Sequence, residues 1–258
     1  MQRAYQICSR CIMDTSDPDI TFDENGYCNH CTRALAEKST LWFPNEEGEK
    51  KLKAIVDKIK IQRKGNDYDC IIGLSGGVDS SFLAYKAVQY GLKPLVVHVD
   101  CGWNSELAVK NIENIVKYLN LELHTYVVNW EEMKDLQLAF FRSNVANQDI
   151  PQDHAIFAAL YKFAVKNNVS YVLNGSNFAT ESILPVSWGY NALDYRQIKG
   201  IYKAFGNKKM KTYPHVTFFQ RYVYFTFIKK MRVLKMLNYL PYDKEKAIKI
   251  MSDEVGWR

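Results

Sequence analysis

Short apolar runs alternate along this chain with segments of helical periodicity. The apolar runs cover residues 68–74, 92–99, 121–128 and 170–173. Nearly continuous apolar runs of this length are typical of parallel strands that are buried on both faces. The segments 46–64, 82–88, 106–119 and 155–166 are predicted to be helices. The pattern therefore predicts a doubly wound parallel sheet of the α/β class.

A glycine-rich turn joins the first predicted strand to the helix that follows it. Its sequence is Leu74-Ser75-Gly76-Gly77-Val78-Asp79-Ser80-Ser81. Glycines let backbone N–H groups approach an anion closely, and the first turn of a helix adds unpaired N–H donors. A Walker A loop requires a lysine, and none lies between Leu74 and Tyr85. We predict a phosphate-binding loop of another kind.

The S-G-G-x-D-S pattern of this turn resembles the PP-loop ATP pyrophosphatases. The resemblance implies an adenine nucleotide alpha hydrolase-like fold and cleavage of ATP between its α and β phosphates. The residues it assigns to ATP or pyrophosphate are Leu74, Ser75, Gly76, Gly77, Asp79, Ser80, Ser81, His98, Val99 and Gly175. An ordinary Gly-Ser turn between strand and helix is the alternative.

A second glycine turn, residues 174–181, follows the fourth predicted strand. It resembles the second conserved segment of ammonia-using synthetases with this loop, such as NAD synthetase. By that resemblance Asp79 and Glu181 are magnesium ligands, and both offer the hard oxygen donors that magnesium requires. Ser75, Asp79 and Glu181 are the predicted catalytic residues. In the alternative interpretation, Glu181 is only a carboxylate at the start of a helix, where the helix dipole favours negative charge.

The first 45 residues contain two C-x2-C pairs, sixteen residues apart. The four cysteines are Cys8, Cys11, Cys28 and Cys31. Two such pairs complete a tetrahedral thiolate site, which predicts structural zinc with a closed coordination shell. His30 is expected to be a bystander. Because the N-terminus has no apolar signal core, we predict a cytoplasmic protein whose cysteines bind metal and form no disulfides.

Polar residues at the ends of the predicted strands are candidates for substrate contacts. In open α/β sheets, ligands bind beyond the carboxyl ends of the strands. Trp103, Asn104, Asp153 and Asn177 lie near that expected mouth. Asp153 is equally well explained as the N-cap of the helix 155–166.

The chain is divided into a zinc module (1–45), an ATP pyrophosphatase domain (46–184) and a helical, aromatic-rich extension (185–258). In the extension, residues 218–228 are apolar and aromatic. We expect them to form a helix buried against the domain or a partner, with interfacial membrane contact as the alternative. No run is long enough to span a bilayer. Asp243 is the predicted cap of a last helix, 244–254.

Together, the cysteine module, the phosphate loop, residues 98–105 and residues 174–181 resemble the N-acetyl sugar amidotransferases of bacterial lipopolysaccharide O-antigen and nonulosonic acid synthesis. The resemblance implies ATP, Mg2+ and structural Zn2+ as cofactors. It implies conversion of the acetamido group of a nucleotide-linked sugar into an acetamidino group. Members usually run on past Gly-Trp-Arg, so a C-terminal part of the pocket is expected outside this chain.

Ammonia is expected from a separate glutaminase subunit, because neither Cys70 nor Cys101 has a recognisable glutaminase setting. The main alternative function is a tRNA-modifying enzyme, a thiolase or a lysidine synthetase. The net charge of +6 suits phosphorylated substrates and RNA alike. We expect no nucleic-acid partner, since thiolases of this kind use further cysteines and only Cys101 follows the loop. A non-catalytic scaffold is the third hypothesis, and the intact Ser75, Asp79 and Glu181 argue against it.

Overall fold

The residues described by the computed structural model are 3–185 and 188–258. Their helices and strands follow in the order α1 (Asn29–Leu41), α2 (Glu46–Arg63), β1 (Cys70–Gly73), α3 (Val78–Gln89), β2 (Pro94–Asp100), α4 (Glu106–Tyr118), β3 (Leu123–Val127), α5 (Trp130–Ser143), α6 (Ile150–Lys166), β4 (Tyr171–Leu173), α7 (Phe178–Glu181), α8 (Tyr195–Phe205), a π-helix (Gln220–Ile228), β5 (Arg232–Leu234), a 3-10 helix (Met236–Tyr239) and α9 (Lys244–Val255).

The five strands form one parallel sheet in the order β3-β2-β1-β4-β5. Neighbouring residues of β1 face opposite sides of this sheet. Ile71 packs into the core beneath α5, α6 and α8, whereas Ile72 packs into the core beneath α2, α3, α4 and α9. Helices cover both faces, which confirms the predicted doubly wound α/β fold.

The strand order reverses between β1 and β4. From β1 the chain moves outward through β2 to β3, then crosses to the other side of β1 to form β4 and β5. Such a reversal leaves a crevice beyond the carboxyl ends of the two strands that flank it. The phosphate loop follows β1 and residues 174–181 follow β4, so both predicted segments lie at this crevice.

Side chains and a glycine mark several helix ends, including the predicted cap at Asp243. The Ser105 hydroxyl accepts a hydrogen bond from the Ala108 N–H (3.1 Å) at the start of α4. The Asp243 carboxylate accepts one from the Lys246 N–H (2.9 Å) at the start of α9. After α3, Gly91 adopts a positive φ of 74°, as expected of the residue that follows a helix C-terminus.

The start of α6 differs from the prediction. The helix begins at Ile150, five residues before the expected start at Ala155, and Asp149 occupies the N-cap position. Asp153 therefore lies in the first turn, and the prediction that it caps the helix was wrong. The physical reason is Pro151, which is tolerated in a first turn because its missing N–H would be unpaired there anyway.

The segment after α8 adds a strand that was not predicted. β5 pairs with β4 at the edge of the sheet. The predicted helix over 218–228 is a π-helix from Gln220 to Ile228, but Phe225 is the one side chain of this helix that is buried. The expected burial against the domain is therefore wrong for most of the segment. None of the helices in the described residues has the length and apolar character needed to cross a membrane.

Two buried acids of α5 hold the chain between α8 and the π-helix. Asp135 accepts hydrogen bonds from the Tyr202 hydroxyl (2.6 Å) and from the Asn207 N–H (2.9 Å). Glu132 accepts one from the Tyr213 N–H (2.8 Å). Burial alone would raise the pKa of Asp135, but these donors lower it below its ordinary value. Both carboxylates therefore anchor the loop in their ionised form.

Candidate functional site

The phosphate loop connects β1 to α3 as a tight turn whose hydroxyls bond to one another. The Ser75 and Ser80 hydroxyls lie 3.0 Å apart, and the Ser80 hydroxyl accepts a hydrogen bond from the Ser75 N–H (3.2 Å). Gly76 adopts a positive φ of 80°, and a Cβ at this position would lie 2.4 Å from the Ala108 carbonyl oxygen. Only glycine therefore fits at Gly76 without moving α4.

The orientation of one peptide group in this loop is fixed from outside. The Gly76 carbonyl accepts hydrogen bonds from the Trp257 indole N–H (3.1 Å) and from the Asn111 side-chain amide (3.3 Å). In a planar trans peptide, the carbonyl and the next N–H point in opposite directions. The Gly77 N–H is thereby turned into the loop, where it contacts the Ser75 hydroxyl at 3.3 Å.

Asn111 is itself held by the backbone of Arg258. Its amide donates to the Arg258 carbonyl (2.7 Å) and its oxygen accepts from the Arg258 N–H (2.9 Å). Asn111 is buried, so its three hydrogen bonds satisfy a side chain that would otherwise lose free energy on desolvation. Residues 257–258 thus form part of the support of the phosphate loop.

The two predicted magnesium ligands both lie near Tyr242. The Tyr242 hydroxyl donates a hydrogen bond to the Asp79 carboxylate. Burial, together with this bond and the nearby charge of Glu181, holds the pKa of Tyr242 above its ordinary value. The second segment packs closely on the loop at Gly175, where a Cβ would make a tight contact of 3.3 Å with the Ser80 nitrogen.

A cavity of about 330 Å³ opens beside the loop, between β1, β2, α4 and α6. Its lining includes Ser75, His98, Val99 and Asn104. The His98 Nδ1 lies 2.8 Å from the Leu74 carbonyl, which can only accept, so this nitrogen carries the proton. The His98 Nε2 then accepts from the Asn104 amide (3.1 Å). The cavity has the size of a small-molecule site and adjoins the phosphate loop.

The four candidate substrate residues have different settings. Trp103 is about half exposed at the cavity mouth and packs edge-on against Trp130. Asp153 is half-buried, and its burial, with the charge of Asp149, raises the pKa of its carboxyl to about 6. Asn177 is buried, and its oxygen caps α7 by accepting from the Thr180 N–H (3.0 Å). The side chain of Asn177 is therefore satisfied within the protein.

The four N-terminal cysteines form one cluster. The sulfur atoms of Cys8, Cys11, Cys28 and Cys31 all lie within 4.8 Å of one another. The N–H groups of Arg10 and Cys28 donate to the Cys8 sulfur (3.4 and 3.2 Å). Four thiols at this spacing fit a tetrahedral metal ion, and backbone donors stabilise a thiolate. His30 lies outside the cluster, with its Nε2 2.7 Å from Asp17.

The cysteine module contacts Ile183 and Leu184, just beyond the second glycine turn (174–181). The Arg33 guanidinium donates to the Leu184 carbonyl (2.8 Å), and Ile183 packs against the buried cysteines. A second cavity of about 650 Å³ lies between this module, α7 and the start of α9. Tyr242, whose hydroxyl donates to Asp79, is among the residues that line this second cavity. The cavity therefore extends to the vicinity of Asp79.

Sequence reasoning missed three residues that support the loop: Asn111, Tyr242 and Trp257. The hydrogen bond from Tyr242 to Asp79 joins residues 163 positions apart, and that from Trp257 to Gly76 joins residues 181 positions apart. No local pattern marks contacts of such separation. The remaining free cysteines are buried, and burial raises the pKa of Cys101 to about 12, so its thiol is protonated at neutral pH.

Comparison with known proteins gives a family match. The family described as NAD synthase matches residues 50–214. Similar solved structures include the NH3-dependent NAD synthetase from Campylobacter jejuni subsp. jejuni NCTC 11168 in complex with the nitrate ion, with a TM-score of 0.41 and 19% identity over 61% of this chain and 72% of that chain. No curated protein matches.

Two further structures have lower scores. The glutamine-dependent NAD+ synthetase from Acinetobacter baumannii, in complex with ADP, has a TM-score of 0.40 and 19% identity, over 52% of this chain and 27% of that chain. The NMN synthetase from Francisella tularensis has a TM-score of 0.38 and 16% identity, over 81% of this chain and 94% of that chain.

Proposed function

Since the chain belongs to the NAD synthase family of PP-loop, ATP-using synthetases, we propose that it uses ATP to activate the acetamido group of a nucleotide-linked N-acetyl sugar. Ammonia then replaces the amide oxygen, and the product carries an acetamidino group. One observation supports this reaction above others. A four-cysteine module packs onto Ile183 and Leu184, just beyond Glu181, in a chain that also has a lysine-free phosphate loop.

The reaction begins with attack of the amide oxygen on the α-phosphorus of ATP. The bond between the α-phosphorus and the bridging oxygen breaks, and pyrophosphate leaves. The resulting imidate adenylate has an electrophilic carbon and a good leaving group, unlike the starting amide. Ammonia adds at that carbon, AMP departs with the former amide oxygen, and the amidine takes up a proton near pH 7.

The phosphate loop acts on the departing pyrophosphate. The Gly77 N–H and the hydroxyls of Ser75 and Ser80 are hydrogen-bonded within the loop, and on ATP binding they would exchange these bonds for phosphate oxygens as charge develops on them. Asp79 and Glu181 would hold Mg2+, which supplies positive charge to the leaving group. The cavity beside His98 would hold the adenosine part, and Trp103, at its mouth, would face the acceptor.

We expect ammonia to come from a separate glutaminase subunit. A glutaminase needs an ionised cysteine with a histidine partner, and burial keeps the Cys101 thiol protonated. The purified chain should therefore form product with ammonium salts but not with glutamine. Product formed from glutamine alone would contradict the two-subunit arrangement.

The direct test is mass spectrometry of UDP- and CMP-linked acetamido sugars after incubation with the chain, ATP, Mg2+ and ammonium. The amidine is lighter than the amide by about one mass unit, and its basicity makes it a cation near pH 7. Failure with every acetamido sugar, combined with AMP formation on tRNA, would instead support the tRNA-modifying alternative.

A further inference from the structure

One stretch of the chain has positively charged side chains and no negatively charged ones. Between Tyr195 and Tyr242 there are eleven lysines and arginines and no aspartate or glutamate. Because the whole chain has a net charge of +6, the rest of it is net negative. The positive charge of the protein is thus concentrated in the segment that forms α8, the π-helix and β5, and this segment should attract an anionic partner.

The same segment exposes large apolar side chains. Residues 218–233, which we name the aromatic face, include the π-helix and most of β5. Phe218 and Phe219 are each 61% exposed and Phe227 is 70% exposed. Ile228 and Val233 are also exposed. Contiguous exposed apolar side chains on a soluble domain usually mark a contact surface.

Cations flank the aromatic face at both ends. At one end, Arg196 lies over the ring of Phe218 and Arg221 lies over the ring of Tyr222. At the other end, Lys229 and Lys230 line a cavity of about 420 Å³, together with Arg63 and Arg232. No carboxylate occurs among the described residues that line it. Arg63 is buried and donates to the Tyr68 carbonyl, so Lys229, Lys230 and Arg232 are the cations available to phosphate groups of an anionic surface.

We propose that the aromatic face docks onto the surface of a lipid bilayer that contains anionic lipids. Phenylalanine and aliphatic side chains partition into the boundary between headgroups and acyl chains, while neighbouring lysines and arginines bind headgroup phosphates. RNA fits less well at Phe218 and Tyr222, because nucleobases need free ring faces and arginines already cover these two rings. Aliphatic Ile228 and Val233 offer a base no ring to stack on.

The Lys229 end of the aromatic face lies at the opposite end of the sheet from the phosphate loop. Lys229 and Lys230 precede β5, and Tyr171, in the same cavity, begins β4. They therefore lie at the amino ends of the parallel strands, whereas the phosphate loop lies at the carboxyl end of β1. A membrane bound at this end would leave the nucleotide cavity open to water.

The test is flotation of the full chain with phosphatidylcholine vesicles, with and without phosphatidylglycerol. We expect binding to the anionic vesicles alone and loss of binding at high salt. Each cation near the surface is worth about fivefold in affinity, so Lys229→Ala with Lys230→Ala should weaken binding about 25-fold. Phe227→Ser should weaken binding in low salt as well, since it removes the inserting ring.

The matched control is Lys110→Ala with Lys117→Ala, which removes the same charge from exposed positions of α4. It should weaken binding only slightly. Unfolding midpoints and ATP binding of all variants should match the wild type, which separates docking from folding. The proposal is overturned if the wild type does not bind anionic vesicles. It is also overturned if the α4 variant loses as much affinity as the variant with Lys229→Ala and Lys230→Ala. It is equally overturned if the aromatic face mediates only self-association or RNA binding.

Discussion

The support of the Gly76 carbonyl by Trp257 leads to a sharp prediction about ATP binding. Trp257→Phe keeps an aromatic ring but removes the indole N–H that donates to this carbonyl at 3.1 Å. The longer bond from Asn111 (3.3 Å) remains. The peptide between Gly76 and Gly77 then has one donor fewer to hold it with the Gly77 N–H turned into the loop.

The magnitude follows from the value of one hydrogen bond. A neutral hydrogen bond contributes about 1 kcal/mol net, which corresponds to about a fivefold change in an equilibrium constant. We expect Trp257→Phe to weaken MgATP binding about fivefold. Combining it with Asn111→Leu, which removes both donors, should weaken binding by at least about 20-fold.

Isothermal titration calorimetry with MgATP and with adenosine measures this effect. Adenosine has no phosphates, so its affinity should be unchanged in Trp257→Phe. Trp42→Phe is the matched control, because the buried Trp42 indole N–H has no hydrogen-bond partner in the described residues. Equal loss of ATP and adenosine affinity would refute the reasoning, and so would an unaltered affinity for ATP.

Three further predictions concern other parts of the protein. Gly76→Ala should abolish MgATP binding in calorimetry, because its Cβ would lie 2.4 Å from the Ala108 carbonyl oxygen. Gly200→Ala is the control, since the space around Gly200 is open. This variant should bind MgATP normally, and alanine should stabilise α8 by up to about 1 kcal/mol. Cys11→Ser should lower the metal content measured by elemental analysis. In hydrogen exchange, the amides of residues 3–45 should lose protection before those of the rest of the chain. Full metal content would contradict the four-thiolate site. Burial lowers the pKa of His154 to about 4 from its ordinary 6.5, so its contribution to stability is present above pH 6.5 and is lost as the pH falls towards 4. Urea unfolding of His154→Gln should show a flatter pH dependence over that window than the wild type; an equal slope would show that other groups cause it.

The sequence was most informative where structure depends on near neighbours. The apolar strands, the cap at Asp243 and the glycine of the phosphate loop all follow from residues a few positions apart. Four cysteines in two close pairs likewise predict their own cluster, which the structure confirms. These features needed no knowledge of the rest of the chain.

The remaining features depend on distant contacts. β5 has three residues, lies at the sheet edge, and is preceded and followed in the sequence by lysines. It therefore lacks the apolar run of a buried strand. Tyr242 is marked only by its bond to Asp79, which exists because α9 packs against α3. The composition of the π-helix is typical of a core helix, and only the structure shows that most of its large apolar side chains are exposed.

The central claim is that the lysine-free loop from Leu74 to Ser81 holds the two outer phosphates of ATP and releases them together. Phosphorus NMR of the spent nucleotide tests it directly, with MgATP, ammonium and the acetamido sugar nucleotides as substrates. The predicted products are AMP and pyrophosphate in equal amounts, and both should disappear in Gly76→Ala. Formation of ADP and inorganic phosphate would contradict the account.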